Sequence, residues 1–335
     1  MTITPSDATP ASFETRFTRL VGCRLPIQSA PMAGVVSDAK LPAAVAAAGG
    51  HGMFPALFLS APYLTRVISD LSGRTRAYGV NFIGLMLDRE CLEIAAGHAP
   101  LVELFLAEPS REIVETIHAG GALASYQVAS DQQALRAQDA GADLLVVQGI
   151  EAGGHPAGDL GLLPLLEEVL AVATVPVVAA GGIGGPRAVA AVLAAGADAA
   201  RAGTRFVAAA ESRAHGRYKQ ALVEAGARDA VLTRAFSAGD PVETTQRVLR
   251  SALRAAEAFP GESAGEVVLG GARVPVPRFG SHAPTEGSSG AIEAMALYAG
   301  QSAGGVTGIV PAAEIVTELA SRLGATVLAA APALG

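Results

Sequence analysis

Tryptophan is absent from this 335-residue sequence, aromatic residues make up only 4%, and there are just two cysteines. Cys23 and Cys91 make no disulfide framework, and neither has the neighbours of a metal site, so we expect two ordinary thiols and no metal. The net charge of -7 and the lack of basic runs argue against a nucleic-acid partner, which needs a dense Lys/Arg surface. The scarcity of aromatic rings also removes a stacking platform for single strands.

Long apolar runs are missing too, although half of the residues are hydrophobic. No stretch reaches the roughly 18 uninterrupted apolar residues that a membrane span needs. The most apolar region, residues 169–183, is interrupted by Thr174, Pro176 and two glycines. The N-terminal residues show neither the basic start nor the apolar core of a secretory signal. We therefore expect a cytoplasmic protein with no membrane partner.

Short apolar strands alternate with alanine-rich helical stretches from about residue 26 to residue 204, which predicts parallel strands joined by crossover helices. Eight strands are predicted, at residues 26–30, 52–56, 78–82, 101–106, 123–128, 144–148, 176–180 and 199–203. Eight such strands favour an α/β fold that closes into a (β/α)8 TIM barrel, with a smaller, mostly helical C-terminal and lid region. The length of the chain is ordinary for such a barrel with an appendage.

Beyond residue 204 the alternation ends, and other elements are expected. We predict helices at 218–226, 242–259, 292–298 and 311–323, and an extended Gly/Pro-rich loop or lid at 261–290. The expected organisation is an N-terminal extension (1–25), a barrel (26–235) that carries the ligand site, a helical and Gly/Pro-rich lid region (236–310) and a C-terminal helix that packs back on the barrel (311–335).

The segment Gln148-Gly-Ile-Glu-Ala-Gly-Gly-His155 is the most informative part of the chain, because it joins an apolar strand to three glycines and a histidine. Loops at strand ends carry the chemistry of such folds. An imidazole beside exposed backbone suits proton transfer next to a bound cofactor. On position alone, His155 could equally be a loop histidine that caps a turn.

Two further glycine clusters follow the seventh and eighth predicted strands, at Gly181-Gly-Ile-Gly-Gly185 and at Gly203-Thr204. Backbone N–H groups in such loops, next to a helix start, attract an anion, and barrel enzymes often hold a phosphate at this place. A single cluster could be no more than a tight turn. Neither cluster has the spacing of a dinucleotide fingerprint, and no Walker-type G-K-[ST] indicates an NTPase.

Other predicted strand ends add Met32, Asn81 and Gln127 to the expected active face, together with Gln148. Each has a structural alternative, since Asn81 could cap a turn and Met32 could fill the core. In the loop before the last helix, Gln301 offers amide groups to a ligand at the barrel mouth.

The sequence resembles the FMN-dependent nitronate monooxygenases, formerly called 2-nitropropane dioxygenases. The resemblance covers nearly the whole chain beyond about residue 25, and its motifs are Ala30-Pro-Met-Ala-Gly34, Val80-Asn-Phe82, Gln148-Gly-Ile-Glu-Ala-Gly-Gly-His155, Ala179-Ala-Gly-Gly-Ile183, Gly203-Thr-Arg-Phe206, Glu211-Ser212, Tyr218-Lys219, Leu232-Thr-Arg-Ala-Phe-Ser237 and Ala299-Gly-Gln-Ser-Ala303.

This resemblance implies FMN at the barrel mouth and His155 as the base that takes the α-proton of a neutral nitroalkane. It implies oxidation of the nitronate through the flavin by O2, to a carbonyl compound and nitrite. Gln301 and Ser302 would lie near the substrate. A homodimer is one assembly that the sequence allows. The residues expected against FMN are Ala30, Pro31, Met32, Asn81, Gln127, Gln148, Gly153, Gly181, Gly182, Arg201, Ala202, Gly203 and Thr204.

The sequence departs from the family pattern in two places. Some members have a lysine near the phosphate after the fifth strand, where this chain has Ser125-Tyr-Gln-Val128, so Arg201 or Arg187 would have to supply the charge, or backbone dipoles alone would. The run Phe236-Ser-Ala-Gly-Asp240 replaces the usual F-S-G-R, which puts an arginine of the active face in doubt.

Other functions remain open at this point. FMN-dependent enoyl-acyl-carrier-protein reductases and NADH:quinone reductases of the same barrel group share the E-A-G-G-H and G-T-R-F motifs, and both need a reduced nicotinamide. The Gly300-Gln-Ser-Ala303 segment favours the monooxygenases. A barrel that only stores or senses flavin is a third alternative, because a fold does not dictate function. The physiological substrate is also open, whether a simple nitronate, propionate 3-nitronate or a bulkier compound.

Overall fold

The computed structural model describes residues 12–239, 244–269 and 272–324, and its central element is an eight-stranded parallel barrel. All eight predicted strands are confirmed, each to within one residue at either end. The strands are β1 (Ile27–Ser29), β2 (Gly52–Pro55), β3 (Tyr78–Ile83), β4 (Leu101–Phe105), β5 (Leu123–Val128), β6 (Leu144–Gln148), β7 (Val177–Ala180) and β8 (Ala199–Ala202).

Hydrogen bonds close the barrel between its first two strands. The strands pair in the order β1-β8-β7-β6-β5-β4-β3-β2, and a parallel bridge between Gln28 and His51 joins β1 to the start of β2. The His51 N–H donates to the Ile27 carbonyl at 2.9 Å, and the Ser29 N–H donates to the His51 carbonyl at 3.0 Å. Because all eight strands are parallel, their carboxyl ends meet at one mouth.

Helices cover the outside of the barrel, and several begin at side chains that cap them. Ser110 and Ser130, for example, accept hydrogen bonds from backbone N–H groups three residues later. The helices of this half are α1 (Arg16–Val21), α2 (Lys40–Ala47), α3 (Ala61–Arg74), α4 (Arg89–His98), α5 (Arg111–Gly120), α6 (Asp131–Ala140), α7 (Leu162–Leu170), α8 (Pro186–Ala194) and α9 (Thr204–Val207). In the part of the chain that the structure describes, no helix has the length and apolar character to span a bilayer.

The N-terminal helix α1 closes the end of the barrel opposite the mouth. Phe17 is fully buried and packs in one cluster with side chains of the barrel interior, among them Met53, Leu101, Leu144 and Val178. Its ring also meets the His51 ring edge-on, with centroids 5.7 Å apart.

The remaining elements lie beside the mouth or on the outer wall. They are α10 (Gly216–Val223), β9 (Ala230–Thr233), β10 (Gln246–Leu249), α11 (Arg250–Ala258), β11 (Ser263–Leu269), β12 (Ala272–Pro277), β13 (Ser289–Gly290) and α12 (Ala312–Ala320). The predicted helices near 218–226 and 311–323 are confirmed as α10 and α12. Ile315, Val316 and Leu319 of α12 join the hydrophobic layer between the barrel and its helices, so this helix packs back on the barrel.

Three predictions for this region were wrong. The predicted helix 242–259 begins only at Arg250, because residues 246–249 pair with β9 as an antiparallel strand; residues 240–243 lie outside the described residues. The predicted extended loop 261–290 contains the hairpin β11–β12 and the short strand β13. The predicted helix 292–298 is reduced to one 3-10 turn, Ile292–Ala294.

Prolines explain why the hairpin resembles a loop in the sequence. Pro275 and Pro277 lie in β12, which is the edge strand of the three-stranded sheet β12-β11-β13. An edge strand tolerates proline, since one side of it needs no backbone donor. The composition of a loop and of an edge strand is therefore similar here, and only the pairing distinguishes them.

Candidate active site

A cavity opens at the mouth of the barrel, and segments from the second half of the chain cover one side of it. Every predicted site residue lines this cavity except Ala202 and Gln301. Ala202 lies in the hydrophobic layer outside the barrel strands. Gln301 is exposed at an adjoining depression, which shares Gly182 and Ser302 with the cavity.

The loop that carries His155 is held by backbone contacts that only glycine allows. A Cβ atom on Gly153 would lie 2.5 Å from the backbone nitrogen of Gly300, so this loop and the segment 299–303 are in direct backbone contact. Gly154 has a φ of +75° and pairs with Arg247, whose N–H donates to the Gly154 carbonyl at 2.8 Å. The Gln301 N–H donates to the Glu151 carbonyl at 2.9 Å.

The Arg247 side chain also holds this loop, through hydrogen bonds to a backbone carbonyl. This residue is 5% exposed. Its Nε and Nη2 atoms donate to the Ile150 carbonyl at 3.1 and 2.8 Å, and its Nη1 atom donates to the Ala230 carbonyl at 3.0 Å. Arg247 therefore ties the histidine loop to the strand pair β9–β10.

Glu151, the acidic residue of the same motif, has a structural role. Both of its carboxylate oxygens accept a hydrogen bond from the Leu162 N–H at 3.0 Å, at the first residue of α7. A carboxylate at a helix N-terminus satisfies a free backbone donor and interacts favourably with the helix dipole. Glu151 is absent from the cavity wall.

His155 faces an aromatic wall contributed by the C-terminal half. The rings of His155 and Tyr298 lie 5.7 Å apart between centroids, at 48°. The Tyr298 hydroxyl donates to the Ser281 carbonyl at 2.6 Å, and the Tyr218 hydroxyl donates to the Tyr298 carbonyl. Burial raises the pKa of Tyr218 well above its usual value, so its hydroxyl stays a proton donor.

A buried polar layer forms the floor of the cavity. The Arg201 guanidinium donates to both carboxylate oxygens of Glu103, to Gln28 Oε1 at 2.7 Å and to Gln127 Oε1 at 3.3 Å. The side chains of the ion pair are 2% and 0% exposed. Asn81 Nδ2 donates to the same carboxylate at 3.0 Å. Glu103 therefore compensates the charge of Arg201 inside the barrel.

Two amide atoms on this floor lack a partner in the protein. Gln127 Nε2 and Gln148 Oε1 are buried without a hydrogen bond, and both residues line the cavity. Because the Gln127 oxygen already accepts from Arg201, the nitrogen of this amide is the free atom. Buried polar groups almost always have partners, so one donor and one acceptor are available to a ligand.

The glycine loops after β7 and β8 form another part of the wall. Gly181 and Gly182 have φ values of +105° and +69°, which strongly favour glycine. A Cβ atom on Gly181 would lie 2.9 Å from the Gly149 carbonyl oxygen. Thr204 Oγ1 accepts from the Gly300 N–H at 3.0 Å. Arg187, the other arginine considered for a phosphate, lies at the adjoining depression and not in the cavity wall.

The nitronate monooxygenase family model matches residues 73–322, and the chain belongs to this family. It is therefore a flavin-dependent oxidoreductase with FMN as its cofactor.

Two curated relatives illustrate the range of related enzymes. The nitronate monooxygenase of Pseudomonas aeruginosa is 32% identical over a region covering 62% of this chain and 73% of that protein. The (3aS,4S,5R,7aS)-5-hydroxy-7a-methyl-1-oxo-octahydro-1H-indene-4-carboxyl-CoA dehydrogenase of Mycobacterium tuberculosis is 30% identical over 71% of this chain and 67% of that protein.

Two solved structures share the fold over almost their whole length. Nitroalkane oxidase from Streptomyces ansochromogenes has a TM-score of 0.77 and 31% identity, covering 94% of this chain and 99% of that one. FabK from Thermotoga maritima has a TM-score of 0.78 and 30% identity, covering 95% of this chain and 98% of that one.

Several residues that form or support the site were missed by the sequence analysis. Tyr218 stood in a recognised motif without a role, and Tyr298 lay in a segment predicted as a helix. Arg247, which supports the site from outside the wall, had no signal, because it follows the polar run Glu243-Thr-Thr-Gln246. Phe58 and His282, which also line the cavity, had none, because their positions depend on loops whose course the sequence does not show.

Proposed function

We propose that this protein oxidises alkyl nitronates with O2 to carbonyl compounds and nitrite. Two nitronate ions and one O2 give two carbonyl compounds and two nitrite ions, so atoms and electrons balance. The observation that carries this proposal is the presence, in one cavity, of His155, the glycine loops and the two unpartnered amide atoms.

The residues of the cavity fit FMN. The pyrimidine edge of a flavin offers carbonyl oxygens and one N–H group, which match the free donor of Gln127 and the free acceptor of Gln148. We assign the ring side to these two residues and to Ala30, Pro31, Met32, Asn81 and Gly153, and the phosphate side to Gly181, Gly182, Gly203 and Thr204. FMN, when bound, supplies the electron transfer between nitronate and O2.

The phosphate would be bound mainly by backbone groups. The guanidinium of Arg201 is already bound to Glu103, and Arg187 is absent from the cavity wall. Backbone N–H groups of glycine loops bind phosphate without a cation, and Thr204 adds a hydroxyl. Backbone groups and Thr204 would thus replace the lysine that some family members have after the fifth strand.

His155 is the proposed base for neutral nitroalkanes. An imidazole in its neutral form accepts the α-proton and leaves the nitronate in the cavity. A nitronate supplied as the anion needs no such step. Ser302, which lines the cavity near the Gly184 backbone, is proposed to contact the substrate. Gln301 is withdrawn from this role because it is exposed outside the cavity wall.

Anaerobic mixing of the yellow holoenzyme with ethyl nitronate and, in parallel, with NADH tests the proposal. We expect the flavin absorbance to bleach with the nitronate and to persist with NADH. Bleaching by NADH alone would instead favour an enoyl-acyl-carrier-protein reductase or a quinone reductase, for which the structural similarity to FabK is the supporting observation. No bleaching by either compound would contradict both.

Substitution of the proposed base provides the first mutational prediction. In His155→Asn, turnover of neutral nitroethane should fall by about 100-fold or more, because a positioned base contributes roughly that factor, while turnover of ethyl nitronate changes little. His98→Asn, at an exposed histidine of α4, is the matched control. Unchanged nitroethane turnover in His155→Asn would refute the role.

The homodimer and the cytoplasmic location stay predictions. Light scattering of the purified holoenzyme measures the first, and fractionation of the source cells measures the second.

A further inference from the structure

The charge of the cavity wall restricts the kind of substrate. Among the described residues, the wall contains no lysine, aspartate or glutamate, and its one arginine is bound to Glu103. Its other titratable side chains are the imidazoles of His155 and His282 and the phenols of Tyr218 and Tyr298. A carboxylate on the substrate, in addition to the nitronate group, would therefore leave water without meeting a permanent cation whose charge is still uncompensated.

Phe58 is the most unusual residue of this wall. It follows β2, has a φ of +59° and is 62% exposed. A phenylalanine in the left-handed region is strained, and an exposed ring lacks the burial that would offset this strain. The ring stacks on His282 from the C-terminal half, with centroids 6.4 Å apart at 26°. Strained residues cluster at ligand-binding sites, so this position in the wall makes Phe58 a candidate for contact with a ligand.

The wall next to Phe58 is apolar, and the loop after the neighbouring strand exposes further apolar side chains. Leu57, Ile83 and Phe105 line the cavity on the side of β2, β3 and β4. On the 3-10 turn that follows β3, Leu85 and Met86 are 68% and 39% exposed. Strands β2 and β3 are neighbours, so both loops leave the barrel at the same part of the mouth. Exposed apolar side chains on a loop beside a cavity are typical of a binding surface.

We propose that Phe58 determines substrate specificity and that the preferred substrate is a nitronate with an uncharged aliphatic or aromatic chain of several carbons. The chain lies against Phe58 and the apolar wall, and the nitronate group points towards His155. This inference rests on the proposed oxidation of nitronates.

A chain-length series on the FMN-loaded enzyme tests the substrate class. We compare kcat/KM for ethyl, butyl and hexyl nitronate and for propionate 3-nitronate. Each methylene group that leaves water strengthens binding about fourfold, so hexyl nitronate should exceed ethyl nitronate by roughly tenfold or more even with partial burial. Propionate 3-nitronate should be a poorer substrate than butyl nitronate.

Substitution of Phe58 tests the residue itself. In Phe58→Ala, the ratio of kcat/KM for hexyl nitronate to kcat/KM for ethyl nitronate should fall about tenfold, because only the long chain reaches the ring. Alanine meets the same positive φ, so the backbone demand is the same in both proteins. Phe58→Leu should restore most of the hexyl nitronate activity. The matched control is Leu163→Ala, at an apolar residue of α7 that is 58% exposed and outside the cavity wall.

The outcomes separate this inference from the proposed function. If ethyl nitronate is oxidised but neither chain length nor Phe58→Ala changes the kinetics, or if propionate 3-nitronate is preferred, the inference is wrong and the proposed function stands. If no nitronate is oxidised, the proposed function fails. In that case, anaerobic titration of the flavin absorbance with nitroethane and 1-nitrohexane tests the apolar chain site by itself. Equal dissociation constants for the two compounds would overturn this site.

Discussion

Single residues far from the motifs hold the loop of His155 in place, and Arg247 is the main example. Its guanidinium satisfies the carbonyls of Ile150 and Ala230, and its backbone pairs with Gly154. The histidine is thereby positioned by a side chain 97 residues distant in sequence from Ile150. Arg247 is a positioning residue because it acts through the loop and is absent from the cavity wall.

Removal of this guanidinium should loosen the loop. In Arg247→Met, two buried carbonyls lose their donor, so the free energy of unfolding should fall by about 2–4 kcal/mol and nitroethane turnover should fall more than nitronate turnover. Urea unfolding and the ratio of the two activities measure these effects. Arg247→Lys should recover part of both.

The control for Arg247 is a nearby arginine on the surface. Arg250 is exposed and donates one hydrogen bond, to the Arg228 carbonyl at 3.1 Å. Arg250→Met should change the unfolding free energy by no more than about 0.5 kcal/mol. If Arg247→Met had an equally small effect on stability and on the activity ratio, the positioning role would be wrong.

Among the elements, the short helix α1 contributes more than its length suggests. It has six residues and precedes the first barrel strand, and it inserts Phe17 into the end of the barrel remote from the active site. The inward side chains there are apolar, so the helix shields them from water. The packing that stabilises the barrel through Phe17 and the candidate active site therefore lie at opposite ends of the barrel.

Truncation of Phe17 should affect stability and leave catalysis unchanged. Phe17→Ala creates a cavity in a fully buried cluster, which should lower the free energy of unfolding by about 3–5 kcal/mol. Denaturant unfolding measures the loss, and kcat with ethyl nitronate at low temperature should match the wild type. Arg19→Ala, on the same helix with a side chain 61% exposed, is the control. A stable Phe17→Ala protein with altered kcat would contradict this separation.

Across the whole molecule, the buried polar layer makes stability depend on pH. His51 is fully buried, and its Nδ1 atom pairs with the Gln28 amide. Burial lowers the pKa of His51 from its usual 6.5 to about 3, and repulsion by Arg201 adds to this shift. Between these two values the unfolded chain binds a proton that the folded protein excludes. The contribution of the neutral His51 to stability is therefore fully present above pH 6.5 and is lost as the pH falls from 6.5 towards 3.

This linkage gives an acid-stability prediction. The contribution of His51 should lower the free energy of unfolding by about 1.4 kcal/mol per pH unit below pH 6.5, or about 2 kcal/mol at pH 5. Urea unfolding at pH 7 and pH 5 measures how much unfolding free energy each protein loses between these two pH values. The loss should be smaller in His51→Gln than in the wild type by that amount, and glutamine retains an acceptor for Gln28. NMR titration of the wild-type imidazole gives an independent check. An imidazole that titrates near pH 6.5 in the folded protein would refute the explanation.

The sequence by itself determined the barrel and the glycine loops. Each strand is a local apolar segment, and alternation with helices leaves little choice of topology, so strands β1 to β8 were predicted to within one residue. Gly181, Gly182 and Gly203 were identified because glycines between a strand and a helix start let backbone N–H groups approach an anion. The histidine was found because it closes the glycine-rich loop that follows the sixth strand.

Only the tertiary structure decided what surrounds that histidine. Tyr298 and His282 reach the cavity, and Arg247 reaches the histidine loop, from segments whose local pattern misled the prediction, since pairing of β9 with β10 and of β11 with β12 overrides local preference. Arg201 was expected at the cofactor, and its pairing with Glu103 depends on two inward side chains 98 residues apart. Contacts between distant residues have no local signature in a single sequence. The walls of the site, and with them its choice of substrate, therefore depend on how the chain folds back over the barrel.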